Sequence, residues 1–376
     1  FKKTTKAHRM IPLFKIHIPP NMGNKLQEVF DSGFLTEGIW SDNFEAEFGK
    51  YVNNRNTCLL NSCTSALSIA SRVIGITAGD EVITTAMTCM ATNEPFYNDG
   101  AKLVFADVSK ETGNISLKSI KEKVTKKTKC IVVVHWAGQP AEIKEIYKYA
   151  SSLGIKVVSD AAHALGAYHY DSKIGDCKYS DFTCFSFQAI KHLTTADGGA
   201  ICCKSEKDAQ RIRRVRWFGL DRKFSEKTGK SRWDQDIIES GFKMHMNNLN
   251  AFIGLEQMKY IEDIISRHID NGKYYNSYIN NPKVKKMKQS SHSKSSYWIY
   301  SVLVEDKEDF KDYLKNKGIA CDVVHVRNDV YTIFKEFKSE NPNLDYFSER
   351  LLNIPVGWWI MESDRKYIVK CINEYQ

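Results

Sequence analysis

The sequence predicts an α/β protein with a large, mostly parallel-sheet domain and a smaller α+β domain after it. Three observations carry this. Strand-like and helix-like segments alternate through the middle of the chain at the spacing of strand–helix–strand units. One segment, "CIVVVHWAG" (130–138), is a nearly continuous β-branched run, as a strand covered on both faces requires. Composition shifts after about residue 255 to a polar stretch and a second set of elements. At 376 residues the chain can bury two cores. We place the large domain, with an N-terminal arm, at 1–255 and the small one at 256–376.

The elements follow in order. "SALSIASRVIG" (65–75) reads as a helix entered through the polar loop "NSCT". "EVITTA" (81–86) and "KLVFADV" (102–108) are short strands, and 130–138 is the next. "AEIKEIYKYASSLG" (141–154) has apolar residues at helical spacing and a glycine stop. "IKVVSDAAH" (155–163) is a strand that delivers Asp160 near its carboxyl end, and "FTCFSF" (182–187) follows. "NNPKVKKMKQSSHSKSSYWIYSVLVE" (280–305) reads as a polar linker running into an aromatic strand. "KEDFKDYLKNKGI" (307–319) is a helix stopped by Gly318. Ligands of a doubly wound sheet sit beyond the carboxyl ends of its strands, where Asp160, Ser186 and Lys191 fall.

Composition removes several classes. Hydrophobic residues make up 42% and charged residues 26%, which fits a globular chain rather than a disordered or fibrous one. No apolar run is long enough to span a bilayer, and the basic N-terminal stretch lacks the apolar core of a secretory signal. The 10 cysteines are scattered and form no CxxC pair, so neither a disulfide framework nor a metal site is expected, and a cytoplasmic location fits. A net charge of +9 suits a phosphate-bearing substrate. The basic runs "KEKVTKKTK" (121–129) and "RIRRVR" (211–216) could serve a nucleic acid, but we read them as solvated helix faces.

"SFQAIKHLTTADGGAI" (186–201) holds one lysine among small, hydroxylated and apolar residues. Lys191 can snorkel at a strand end. Alternatively its amine is held in a pocket, where desolvation suits it to Schiff-base chemistry. Pyridoxal phosphate needs such a lysine, a carboxylate for its ring nitrogen, and hydroxyls with a helix N-terminus for its phosphate. "NSCTSAL" (61–67), Asp160, Ser186 and Lys191 supply these in order. Taken singly, Asp160 reads rather as a helix cap, Ser62 and Thr64 as caps of the following helix, His163 as a core histidine and Asn247 as a cap or a solvent-facing residue.

In order along the chain, "SGFLTEGIWSDNFEAEF" (32–48), "NSCTSAL", "VVHWAGQPAEIKEI" (133–146), "DAAHALGA" (160–167), the Lys191 segment and "MNNLNAFIGLEQM" (246–258) resemble the DegT/DnrJ/EryC family of nucleotide-sugar aminotransferases. The resemblance implies the aspartate-aminotransferase-like fold (PLP fold type I) and pyridoxal 5'-phosphate as cofactor. It makes Lys191 the catalytic, cofactor-linked lysine and Asp160 the partner of the ring nitrogen. His163 would lie beside the ring, and Thr64, Ser186 and the Cys63 backbone would hold the phosphate. Asn247 would reach that phosphate from a second subunit, giving a homodimer with shared active sites. The expected reaction moves an amino group from L-glutamate to a nucleotide-linked keto-6-deoxyhexose. "TCMATN" and "KMHMNNLNA" resemble the C4-aminating, viosamine- or perosamine-forming branch. The alternatives are amination at C3, a dehydratase, and a non-catalytic binding protein. Two positions depart from the family pattern: Cys63 stands for a usual glycine, and Cys89 stands where an aromatic ring often stacks on the cofactor. Arg222 and Arg327 are candidates for the substrate's diphosphate.

Overall fold

In a computed structural model, residues 10–376 are described; the first nine residues of the N-terminal arm lie outside the described residues. Two helices open the chain, α1 (Met22–Asp31) and α2 (Ile39–Tyr51). The large sheet is then laid down by β1 (Thr57–Leu60), α3 (Cys63–Ile74), β2 (Glu81–Thr84), α4 (Met90–Asn98), β3 (Lys102–Phe105), α5 (Leu117–Lys123), β4 (Thr128–Val134), α6 (Ile143–Ser152) and β5 (Lys156–Asp160). A hairpin of β6 (Tyr168–His169) and β7 (Ser172–Lys173) interrupts it before β8 (Phe182–Ser186) and β9 (Gly199–Cys203). The strand order is β1-β9-β8-β5-β4-β2-β3. Five neighbours run parallel, while β9 returns antiparallel between β8 and β1. Its buried strands are apolar on both faces because helices cover both.

The register gathers the site. Asp160 ends β5 opposite Val134 and Cys184, two residues short of Ser186. Gly199 opens β9 opposite both Ser186 and Leu60, so four strand ends meet at one edge. A Cβ on Gly199 would lie 2.4 Å from Ser62 C and 2.5 Å from Cys63 N. The glycine therefore lets the sheet approach the start of α3.

After α7 (Glu206–Val215) and α8 (Phe224–Thr228), α9 (Asn248–Met258) and α10 (Ile261–Tyr278) lead to a second sheet. It orders β10 (Val284–Lys286), β12 (Tyr300–Val304) and β13 (Leu351–Ile354) antiparallel, against α11 (Lys307–Asn316) and α13 (Glu362–Asn373). Between β12 and β13, α12 (Pro342–Arg350) packs Leu344 and Phe347 into the large core. We propose the same two units as the sequence did. The boundary at 255/256 falls inside α9, and residue Ile11 crosses to bridge Ile319 of the second unit.

Several predicted boundaries shift. The strand through residue 163 stops at Asp160, because Ala162 N–H folds back onto Asp160 Oδ1 at 3.1 Å. The strand at 130–138 stops at Val134; Trp136–Gly138 form a tight turn with Ala137 at φ 57°. The stretch at 280–305 is no plain linker: it contributes β10 and also β11 (Ser293–Lys294), which pairs with β6. Nor is "RIRRVR" a solvated face. Arg211 and Arg214 pair with Glu239, Arg213 with Glu45, and the buried Arg216 with Glu37 and Glu45.

Candidate active site

Lys191 sits in the loop between β8 and β9, held by its own N–H on Gln188 O at 2.9 Å. Its Nζ lies 3.6 Å from the centre of the Trp298 ring. Burial pushes the amine down to about 8, with Asp160 acting the other way. A cavity of about 320 Å³ opens on it, large enough for a small cofactor. The same cavity is lined by Ser62, Cys63, Thr64, Asp160, His163 and Ser186.

Asp160 is buried, and each oxygen takes one donor: Oδ2 from the Thr92 hydroxyl at 2.6 Å, Oδ1 from Ala162 N–H. The Thr92 and Thr88 hydroxyls lie 2.7 Å apart, so Thr88 supports that donor. Burial raises the carboxyl above its ordinary range, opposed by the Thr92 hydrogen bond. A cationic partner in the cavity would relieve that desolvation.

α3 points its N-terminus into the cavity. Ser62 caps it, its Oγ accepting from Ser65 N–H at 3.0 Å. The Cys63 and Thr64 N–H groups have no intrahelical acceptor and sit at the positive end of the helix dipole. The residue at 63 thus offers a backbone group, which a cysteine supplies as well as a glycine. Its buried thiol is pushed up by burial. The "NSCT" loop is shorter than expected, since the helix already begins at Cys63. Ser186 lines the cavity and its Oγ accepts from Gln188 N–H at 3.3 Å.

His163 packs flat against Trp298, ring centres 3.8 Å apart at 15°. Its Nε2 lies 3.3 Å from His325 Nε2, while its buried Nδ1 has no partner. Burial holds the imidazole well below its ordinary pKa, so it is neutral. The half-buried lysine, the Asp160 carboxylate and the free helix N-terminus are the polar groups that pyridoxal phosphate requires, and the orphaned His163 nitrogen adds a further polar atom. No aromatic ring takes over from Cys89 on the wall it lines; His163 and His325 are the aromatic side chains among the described lining residues.

The remaining candidates lie elsewhere. Asn247 does not line the cavity of its own chain. It is exposed and caps α9, its Oδ1 accepting from Asn250 N–H at 2.9 Å. The chain does return to the phosphate loop here, with Met244 O taking Asn61 N–H at 2.9 Å and His245 bridged to Leu60. Arg222 is held by Glu37 at 2.6 Å, and Arg327 by both oxygens of Asp329 at 2.6 Å; neither lines the cavity. Thr92, Trp298 and His325 were missed by sequence reasoning. The signal for Thr92 lay in "TCMATN", three positions from a cysteine already singled out; Trp298 and His325 come from the second unit with no local signal.

Residues 18–373 match the DegT/DnrJ/EryC1/StrS aminotransferase family. GDP-perosamine synthase of Vibrio cholerae is 27% identical over 374 residues, 97% of this chain and 99% of that protein. The sugar aminotransferase CalS13 from Micromonospora echinospora superposes with a TM-score of 0.92 at 30% identity, covering 98% of this chain and 100% of its own. Spr1654 from Streptococcus pneumoniae, solved in PLP and PMP forms, superposes with TM-scores of 0.87 and 0.88 at 25% identity, over 97% of this chain and 98% and 97% of its own. The chain belongs to the DegT/DnrJ/EryC1/StrS family and is a sugar aminotransferase dependent on pyridoxal phosphate.

Proposed function

We propose that the enzyme transfers an amino group from L-glutamate to C4 of a nucleotide-linked 4-keto-6-deoxyhexose. The observation that carries the chemistry is a single cavity shared by the Lys191 amine, the Asp160 carboxylate and the N-terminus of α3. The C4 position rests on "TCMATN" and "KMHMNNLNA", and on the likeness to a protein named GDP-perosamine synthase.

Pyridoxal phosphate, when bound, supplies an electron sink for the carbon that loses its proton. Lys191 would hold the cofactor through Nζ and, once freed, the same nitrogen would take the proton from the α-carbon of the amino donor and, in the second half-reaction, deliver a proton to C4 of the sugar. Its lowered pKa keeps a useful share of the amine neutral at neutral pH. Asp160 keeps the ring nitrogen protonated, and Thr92 positions Asp160. The Cys63 and Thr64 N–H groups and the Thr64 and Ser186 hydroxyls bind the phosphate dianion. His163, neutral and backed by Trp298, orients the ring edge. Asn247 reaches the phosphate of a neighbouring subunit, so the working species is a homodimer.

The neighbouring His192 turns out of the site, its Nε2 3.0 Å from Ser296 O, which leaves Lys191 as the only basic group of that pair facing the cavity. This favours transamination over dehydration. The arginines of 211–216 are engaged by Glu37, Glu45 and Glu239, which supports reading that run as structural rather than as a nucleic-acid surface. All ten cysteines are free, which supports a reducing, cytoplasmic setting. Among the described residues no helix is long and apolar enough to cross a membrane.

The test is to incubate holoenzyme and L-glutamate with nucleotide-linked 4-keto and 3-keto sugars and identify products by mass and NMR. We expect a 4-amino sugar from wild type and none from Lys191→Ala, which should still bind pyridoxamine phosphate. A 3-amino product would overturn the position. Wild-type turnover in the variant would overturn the role of Lys191.

A further inference from the structure

Outside the cofactor cavity, one cluster is unexplained by the transaminase chemistry. Glu142 precedes the first turn of α6 and Glu145 lies within it, while His169 ends β6. One ligand atom from each of the three lies within 4.8 Å of the others. His169 is wholly buried, and its Nδ1 is already engaged with the Ser293 hydroxyl at 2.9 Å. That leaves Nε2 aimed at the carboxylates, and this buried nitrogen has no hydrogen-bond partner. The buried Oε2 of Glu145 has none either.

Carboxylates at the start of a helix need no ligand, since the helix dipole favours them. That accounts for the charges of Glu142 and Glu145 but not for two facing buried atoms that stand 3.5 Å apart with no closer partner for either. A buried polar atom without a partner costs about 1–3 kcal/mol, so such pairs call for an explanation. Lysine and arginine do not supply it: among the described residues neither carboxylate has an ion pair with either, and Lys144 Nζ lies over the Tyr170 ring at 3.8 Å. The separation is informative. His169 Nε2 and Glu145 Oε2 are 3.5 Å apart, long for a hydrogen bond between them. Two bonds of about 2.1 Å meeting at a tetrahedral zinc ion hold their donors roughly 3.4 Å apart.

We propose that Glu142, Glu145 and His169 bind a divalent transition-metal ion of the zinc class, with water in the fourth position. His169 and Glu145 are preset, and the exposed Glu142 closes on the ion. The Ser293 hydroxyl fixes the imidazole, as the outer partners of metal-bound histidines do. Sequence reading passes over the site because the ligands are two glutamates three apart and a histidine 24 residues later, with no cysteine among them. The role is structural. β6 pairs with β11, and the segment after β11 carries Ser296 and Trp298 onto His163 and Lys191. An ion at His169 ties α6 to the hairpin that supports this segment.

Chelator-treated holoenzyme titrated with zinc chloride by calorimetry tests this. We expect one tight equivalent per chain and a zinc-dependent rise in the thermal midpoint. The Glu142→Gln/Glu145→Gln variant should bind at least about 100-fold more weakly and lose the zinc-dependent rise, while its zinc-free transaminase activity stays at the wild-type level. The single variant Glu142→Gln, at an exposed position, should weaken binding at least about tenfold and covers the case in which the double variant folds poorly. Failure of wild type to bind a stoichiometric ion, or equal binding by wild type and variants, would overturn the site and leave His169 and Glu145 as a loose pair.

Discussion

A lysine amine with a pKa of about 8 behaves differently from an ordinary one, and the difference can be measured. At pH 7 about one such amine in ten is neutral, against about one in three thousand at the ordinary lysine value. The neutral form is the nucleophile. The rate at which apoenzyme captures pyridoxal phosphate covalently, trapped by borohydride, should therefore climb about tenfold per pH unit below 8 and level off above it. A rate still climbing tenfold per unit between pH 9 and 10 would mean that burial does not lower the pKa. At this scale the sequence told much. Lys191, Asp160, Ser186 and Thr64 all line one cavity, because strand ends and a helix start are readable locally. The partners that tune them were not readable. Thr92 reaches Asp160 across 68 positions, and Trp298 lies 107 positions beyond Lys191, so only the fold brings them together.

Among the elements, β2, β3, β4, β5, β8, α3 and α6 were legible from short apolar runs and amphipathic segments with caps or glycine stops. The strands β6, β7, β10 and β11 were not. They have two or three residues each, and pairing with a partner rather than an apolar pattern defines them. The contact between β9 and α3 was also hidden, although "GG" at 198–199 marked it. Gly199→Ala should drive the new Cβ into the backbone of Ser62 and Cys63, which cannot rotate away. We expect a loss of about 1–3 kcal/mol in chemical denaturation and weaker binding of pyridoxal phosphate, since the phosphate-binding amides must shift. Gly23→Ala is the control. It lies inside α1 with nothing within 4 Å of the new Cβ, and should stabilise by about 0.5–1 kcal/mol. Equal stability of the Gly199 variant and wild type would show that the sheet and helix have slack there.

At the scale of the whole molecule the question is whether one chain completes its own site. Distance along the sequence does not answer it, because the stretch from 191 to 247 folds back beside Asn61 in the same chain. Two other features bear on it. The Asn247 side chain is exposed, outside its own cavity. Next to it, Asn248 N–H is held by the carbonyls of Leu35 and Thr36, in a segment whose Phe34, Leu35 and Ile39 are exposed apolar side chains. Apolar groups clustered around an exposed polar residue are what a shared interface presents before assembly. We therefore predict a two-fold homodimer burying more than the roughly 1,200–2,000 Å² of ordinary complexes. In it, Asn247 of each chain serves the phosphate of the other. Asn247→Asp is the discriminating change. Aspartate caps a helix as well as asparagine does, so α9 should survive, while its charge repels the phosphate. Mixed with inactive Lys191→Ala chains, it should restore up to about a quarter of wild-type activity. Half of the dimers are then mixed, and one site in each carries both native residues. If Asn247 instead served its own chain, no mixed dimer would contain an intact site. Zero recovery with proven subunit exchange, or a monomer by light scattering at working concentration, would refute the shared site.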